Sequence, residues 1–161
     1  ATLAGHMVAV RNENWGTTGD RLSFAYLAAN LRVNGWFYLR DERFPWVVTA
    51  LVLAGTKQAT AGLLAVDYEP DDEEIDRVGE RQVLLDSADL PVAVLEVTRV
   101  EVHPFDQVPF EFAAAEGEGF TSVEDWQTGH RAFYAELGHE VRADEPVVCA
   151  WFQVIERLDP T

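Results

Sequence analysis

Gly55-Thr56-Lys57-Gln58-Ala59-Thr60 is the stretch on which the reading of this chain turns. It leaves an apolar helical run and enters β-rich sequence, and it holds the protein's one lysine; every other basic side chain is arginine. A lysine ammonium is a compact charge whose proton affinity falls on desolvation, whereas guanidinium stays protonated. Lys57 is therefore the first candidate for chemistry, and Thr60, three residues on, is placed to share a pocket with it. Upstream, Phe44, Val47, Val48, Leu51 and Val52 recur at helical spacing, with Pro45 suited to a first helical position and Gly55 to a stop, so a helix over Pro45 to Ala54 is expected.

Working outward, 161 residues suit one domain with a real core, and 48% hydrophobic residues with five tryptophans argue against disorder except at the ends. The single cysteine, Cys149, lies in an apolar run and reads as a buried thiol of a reducing compartment. The sequence holds neither an apolar run long enough to cross a membrane nor a secretory signal, so a cytoplasmic location with no membrane partner is expected. Gly5-His6-Met7 reads as a cloning remnant ahead of a start methionine. The net charge of −16 repels polyanions: DNA is excluded as a partner, RNA is disfavoured, and a small neutral ligand is favoured.

Along the chain, Leu22, Ala25, Tyr26 and Ala29 fit one helical face over residues 20–31, Asn34-Gly35 marks a turn, and Trp36 to Leu39 is a short strand or aromatic plug. Asp67 to Asp76 is an acidic loop without the alternating ligands and inner glycine of a calcium site. Gln82 to Asp86 and Pro91 to Val102 read as a hairpin around a turn at residues 87–89, the second strand being central because both its faces begin apolar. A short helix over Glu111 to Ala115 leads to Glu116-Gly117-Glu118-Gly119, where flanking glycines free the backbone to present Glu118. Thr121 and Glu124 form a capping box for a helix with Val123, Trp126, His130, Phe133 and Leu137 on one face. Val147 to Ile155 is a closing strand. The histidines are too dispersed for zinc, and neither metal nor cofactor is expected. The order gives an α+β or small-barrel plan, with no strand–helix alternation and no phosphate loop.

Ala54 to Thr60, Val78-Gly79-Glu80, Val102 to Asp106, Phe112 to Gly119, Trp126, His130 and Pro146 to Cys149 together resemble the ASCH domain family. The resemblance covers residues 44–156, leaving 1–43 as an N-terminal extension and 157–161 as a tail. It implies a PUA-like fold: a small curled β-barrel with helices around it and a cleft at the Gly-x-Lys-x-x-Thr turn. The family was first proposed to bind RNA; some members resemble ribonucleases, and small members are amidohydrolases that remove the acyl group from N4-acetylcytidine. The working lysine, threonine and glutamate of those small members fall on Lys57, Thr60 and Glu118. Thr56 stands where a basic residue is common, removing a charge that would help to hold a phosphate.

Hydrolysis of an amide needs a nucleophile, a proton acceptor and a donor for the leaving nitrogen. One assignment makes Thr60 the nucleophile, Lys57 its base and Glu118 the proton shuttle; the other has Glu118 activate water while Lys57 stabilises the oxyanion. Ser122 is a candidate ligand contact or a helix cap. Tyr68 and Trp126 are candidates to stack on a base, with core packing the competing role. An amidohydrolase acting on an N4-acylated cytidine or similar nucleoside is the expected function; an RNA-binding module, with or without ribonuclease activity, is the alternative and would need Arg40, Arg43, Arg77, Arg81 and Arg99 to gather.

Overall fold

The structure is a computed structural model and describes residues 9–11, 50–85 and 91–158. In chain order its main elements are β1 (Ala9–Arg11), β2 (Ala59–Leu63), β3 (Arg81–Leu85), β4 (Pro91–Pro104), α1 (Phe110–Ala115), α2 (Val123–Glu136) and β5 (Pro146–Arg157). The expected elements at residues 20–31 and 36–39 and the turn at 87–89 lie outside the described residues.

Ala93, Val94, Leu95 and Val97 are all buried, so both faces of β4 are covered and it sits inside the sheet rather than at an edge. The sheet runs β1-β3-β4-β5-β2, with every neighbouring pair antiparallel. β4 and β5 lie side by side from Ala93↔Arg157 to Pro104↔Pro146, with register shifts at Val94/Leu95 and Val97/Arg99. Such bulges bend a strand and raise its twist. The two long strands therefore curl, carrying β3 on one half and β2, paired from Ala59↔Trp151 to Leu63↔Val147, on the other. This is the α+β, PUA-like plan expected from the sequence. β5 closes it by lying between β4 and β2.

Helices α1 and α2 cover the β2 half: Phe112, Trp126 and Tyr134 pack with Phe105, Ala59, Ala61, Leu63, Val147 and Cys149. Cys149 is fully buried, and burial pushes its thiol well above its ordinary value, so it is a core residue. A second cluster joins Val52 of the preceding helical turn to Leu84, Ala93, Leu95 and Phe152. Of the helix expected over Pro45 to Ala54, residues 50–53 are described and helical, and Gly55 ends them at φ +77°. No helix among the described residues is long and apolar enough to cross a membrane.

Two expectations for α2 are corrected. The cap is Ser122, not Thr121: Ser122 Oγ accepts from Asp125 N at 3.0 Å, and Asp125 Oδ2 accepts from Thr121 N at 3.1 Å. The sequence offers two overlapping boxes one residue apart, and local spacing cannot rank them. The buried stripe is Trp126, His130 and Tyr134, while Leu137, beyond the end of the helix, is exposed. Positions four apart on a helix lie on one ridge, and here that ridge faces the sheet.

Candidate active site

The turn after residues 50–53 is pinned from both sides. Thr56 N and Lys57 N donate to Leu51 O at 2.9 and 3.0 Å, and Gln58 N donates to Ala115 O at the end of α1 at 2.8 Å. Lys57 is thereby drawn inside the fold, where it is 1% exposed. A buried ammonium is tolerated only with partners. Its Nζ donates to Glu118 Oε1 at 2.8 Å and to the Glu116 carbonyl at 3.3 Å, with Glu116 Oε1 a further neighbour at 3.9 Å.

Both carboxylates come from one turn, and Gly117 between them makes the turn possible. Its φ is +65°, and a Cβ there would stand 2.1 Å from Thr56 O. Only glycine lets this backbone lie flat against the lysine turn. Glu116 Oε1 accepts from Ala61 N of β2 at 3.0 Å, and Oε2 accepts from the Trp126 indole N–H of α2. Trp126 stacks on His130 with centroids 4.1 Å apart. His130 Nδ1 donates to Trp126 O at 2.9 Å, leaving Nε2 towards Glu116 Oε2 at 3.4 Å.

Burial controls the protonation of these groups. It raises Glu118 to about 7, the Lys57 ammonium working against it and the Glu116 carboxylate with it. Burial also raises Glu116, against the pull of Lys57, Trp126 and Ala61 N–H. It lowers His130 to about 4, so that imidazole is neutral at neutral pH.

These shifts carry opposite stability signs. The folded state holds a proton on Glu118 up to about 7 against an ordinary 4.5, so stability falls as pH rises through that window, by on the order of 3 kcal/mol. For His130 the unfolded state binds the extra proton between about 4 and 6.5, so stability falls as pH drops through that window, by a similar amount. In the native protein the two slopes oppose each other. Relative to it, Glu118→Gln is expected to lose stability more steeply towards acid, and His130→Phe to lose it more steeply towards neutral pH. Urea unfolding at about pH 5, 6 and 7 checks this; parallel pH curves for the three proteins would refute it.

Of the residues singled out from sequence, Lys57 and Glu118 come together. Thr60 lies on β2 opposite Ala150, half-buried, and among the described residues its hydroxyl bonds neither of them. Ser122 is the α2 cap. Tyr68 is 1% exposed, its ring edge lies against Gly62, and its hydroxyl donates to Asp76 Oδ2 at 2.8 Å. Trp126 is fully enclosed between His130, Phe105 and Phe112. Both aromatics are core residues here, with no free face for a base.

The acidic loop also turns two members inward. Asp67 accepts from Leu63 N and Tyr134 Oη, each at 2.7 Å, and Asp76 accepts from Tyr68 and Gln82. Among the described residues no group of three or more histidine, cysteine or acidic side chains is arranged to hold a metal ion.

A family model for the ASCH domain matches residues 36–156. The chain belongs to the ASCH domain family. A crystal structure of an ASCH domain from Lactobacillus crispatus JV V101 is 31% identical, with a TM-score of 0.63 over 83% of this chain and 86% of that one. Protein EF3133 from Enterococcus faecalis V583 is 30% identical, with a TM-score of 0.59 over 66% of each chain. No curated protein matches.

In this ASCH domain a groove of about 640 Å³ runs beside the lysine turn, bounded by Val52, Leu53, Lys57, Gln58, Phe152 and Arg157. It reaches neither Thr60 nor Glu118. The described arginines named as a possible RNA surface are each answered by an acid: Arg77 by Glu74, Arg81 by Glu96 at 3.7 Å, and Arg99 by Glu101 and Glu111 at 2.9 and 3.0 Å; Arg40 and Arg43 lie outside the described residues. Sequence reasoning missed Glu116 as a site member. The available signal was two glutamates flanking one glycine: if one meets Lys57, the other is forced close.

Proposed function

We propose that this ASCH domain is an amidohydrolase that removes the acyl group from an N4-acylated cytidine or a similar modified nucleoside. The observation that carries the reading is the buried Lys57–Glu118 contact at 2.8 Å, in which the carboxyl titrates at about 7. A carboxyl with that midpoint is an efficient proton acceptor and donor near neutral pH. Lys57 faces oxygen acceptors, which supports its use as a donor to a developing oxyanion rather than as a base.

The substrate's acyl oxygen takes the place that Glu118 Oε1 holds on Lys57 Nζ. Thr60 Oγ1 attacks the acyl carbon, and Glu118 accepts the hydroxyl proton. The C–N bond then breaks as Glu118 returns that proton to the leaving N4, freeing cytidine and leaving an ester on Thr60. Water, activated by Glu118, cleaves the ester to give the carboxylic acid and restores the hydroxyl. A neutral nucleoside suits this site better than an RNA strand: the charge of Lys57 is already answered by two carboxylates, and the described arginines that would track phosphates are paired.

The test is release of cytidine from free N4-acetylcytidine without added metal. Native protein is expected to hydrolyse it, and Glu118→Gln to lose about 100- to 10,000-fold in kcat. Thr60→Val removes the hydroxyl at nearly constant volume; a similar loss supports Thr60 as nucleophile, whereas near-native turnover transfers that role to a water activated by Glu118. No turnover by native protein, with salt-sensitive binding of single-stranded RNA, would replace the proposal with an RNA-binding module.

A further inference from the structure

Glu116 is a buried carboxylate bonded at both of its side-chain oxygens and at its backbone carbonyl. Its two carboxylate oxygens take donors from two elements, Ala61 N of β2 and the Trp126 indole of α2, while its backbone carbonyl takes Lys57 Nζ. Among the described residues neither element donates to Glu118, whose side chain is held by Lys57 Nζ at 2.8 Å and whose backbone is carried by the close approach at Gly117. We propose that Glu116 is a positioning residue for the Lys57–Glu118 pair, fixing the turn that carries Glu118 and supplying a permanent second negative charge beside it.

The charge assignment follows from hydrogen bonding. A carboxylate accepting N–H bonds at both oxygens is held ionised more firmly than one accepting a single bond. Glu116 has two such donors, one on each oxygen, with Lys57 Nζ 3.9 Å away and the unprotonated Nε2 of His130 3.4 Å from Oε2, whereas among the described residues Glu118 takes one donor, Lys57 Nζ. When the pair must take a proton, it goes to Glu118. The titratable groups facing Glu118 are Lys57 from the turn, Glu116 from its own segment and His130 from α2. His130 is neutral over the relevant range, so Glu116 is the neighbour that resists ionisation of Glu118.

This inference deepens the amidohydrolase reading but is tested apart from it, by carboxyl ¹³C NMR of glutamate-labelled protein, with Glu116→Gln and Glu118→Gln supplying assignments. In native protein the Glu116 resonance is expected at its ionised position throughout the range in which Glu118 titrates. A Glu116 that is protonated at neutral pH overturns the proposal with no variant required. In Glu116→Gln the Glu118 midpoint is expected to drop by about one pH unit or more, the effect of removing a like charge from a buried neighbour. A midpoint unmoved in the folded variant overturns the proposal.

The hydrolysis arm is separate. Glu116→Gln is expected to lower kcat with little change in KM, and Glu116→Asp, which keeps the charge, to recover part of the loss. If native protein hydrolyses nothing, the amidohydrolase reading fails while the NMR result still decides the role of Glu116. A hydrolysing protein whose Glu116→Gln variant retains native kcat and an unmoved pH profile overturns the positioning role alone.

Discussion

Lys57→Met is expected to abolish hydrolysis of N4-acetylcytidine, by at least about 1,000-fold in kcat, and to destabilise the protein in a pH-dependent way. Methionine keeps the length and apolar stem of lysine but not its charge. The oxyanion then loses its donor in a site sheltered from water, where one such donor is worth about 100- to 1,000-fold on its own. Glu116 and Glu118 also lose the ammonium they share. Removing one partner of a buried ion pair typically costs about 3–5 kcal/mol because the other charge stays buried. Here part of the cost is avoidable, since Glu118 can remain protonated. The destabilisation is therefore smallest near pH 5, where Glu118 carries its proton in both proteins and Glu116 alone is left without the ammonium, and grows as pH rises through about 7. Lys57→Arg is expected to be inactive as well, because a forked guanidinium does not fit a space closed around one ammonium. Kinetics and urea unfolding across pH give the two readouts. Native turnover in Lys57→Met would remove Lys57 from the chemistry, and a destabilisation independent of pH would remove it from the charge network.

Gly117→Ala is expected to be among the most destabilising small substitutions in the chain, at about 3–5 kcal/mol. The positive φ contributes about 1–2 kcal/mol. The remainder is overpacking against main chain: the new Cβ would stand 2.1 Å from Thr56 O and 2.8 Å from Lys57 N, and neither can rotate away as a side-chain tip would. The collision parts the two turns and draws Glu116 and Glu118 off Lys57, so turnover is lost with the stability. Gly119→Ala is the control. Its φ is +89°, but a Cβ there meets nothing within 4 Å, so only the conformational cost of about 1–2 kcal/mol applies. Equal losses at Gly117 and Gly119 would mean that the approach to Thr56 is not what demands glycine.

The placement of these residues shows how far the sequence reaches. Lys57 stood out as the one lysine, and the glycines around Glu118 marked a turn able to present a carboxylate; the structure joins the two. The motif order gave the family and its α+β fold, and the doubly apolar start of β4 placed that strand inside the sheet. Tyr68 and Trp126 were harder, because a buried aromatic and a ligand-stacking one look the same along the chain. Their roles follow from Gly62 and Asp76 around one ring and from Phe105, Phe112 and His130 around the other.

By itself the sequence determined what depends on neighbours along the chain: where β3, β4, β5, α1 and α2 run, where glycine ends or bends the backbone, and which family they compose, while β1 and the helical turns at Leu64–Tyr68 and Glu69–Asp71 were not legible in it. Periodicity and backbone sterics are local, and they read out directly. Only the tertiary structure decided which glutamate is anchored and which titrates, that Lys57 is buried, that Ser122 is the cap, and that His130 is neutral. The atoms Lys57 meets lie 59 and 61 positions away. The charge of a buried group is set by the water it loses and the dipoles it gains, and both arrive with the packing of distant segments.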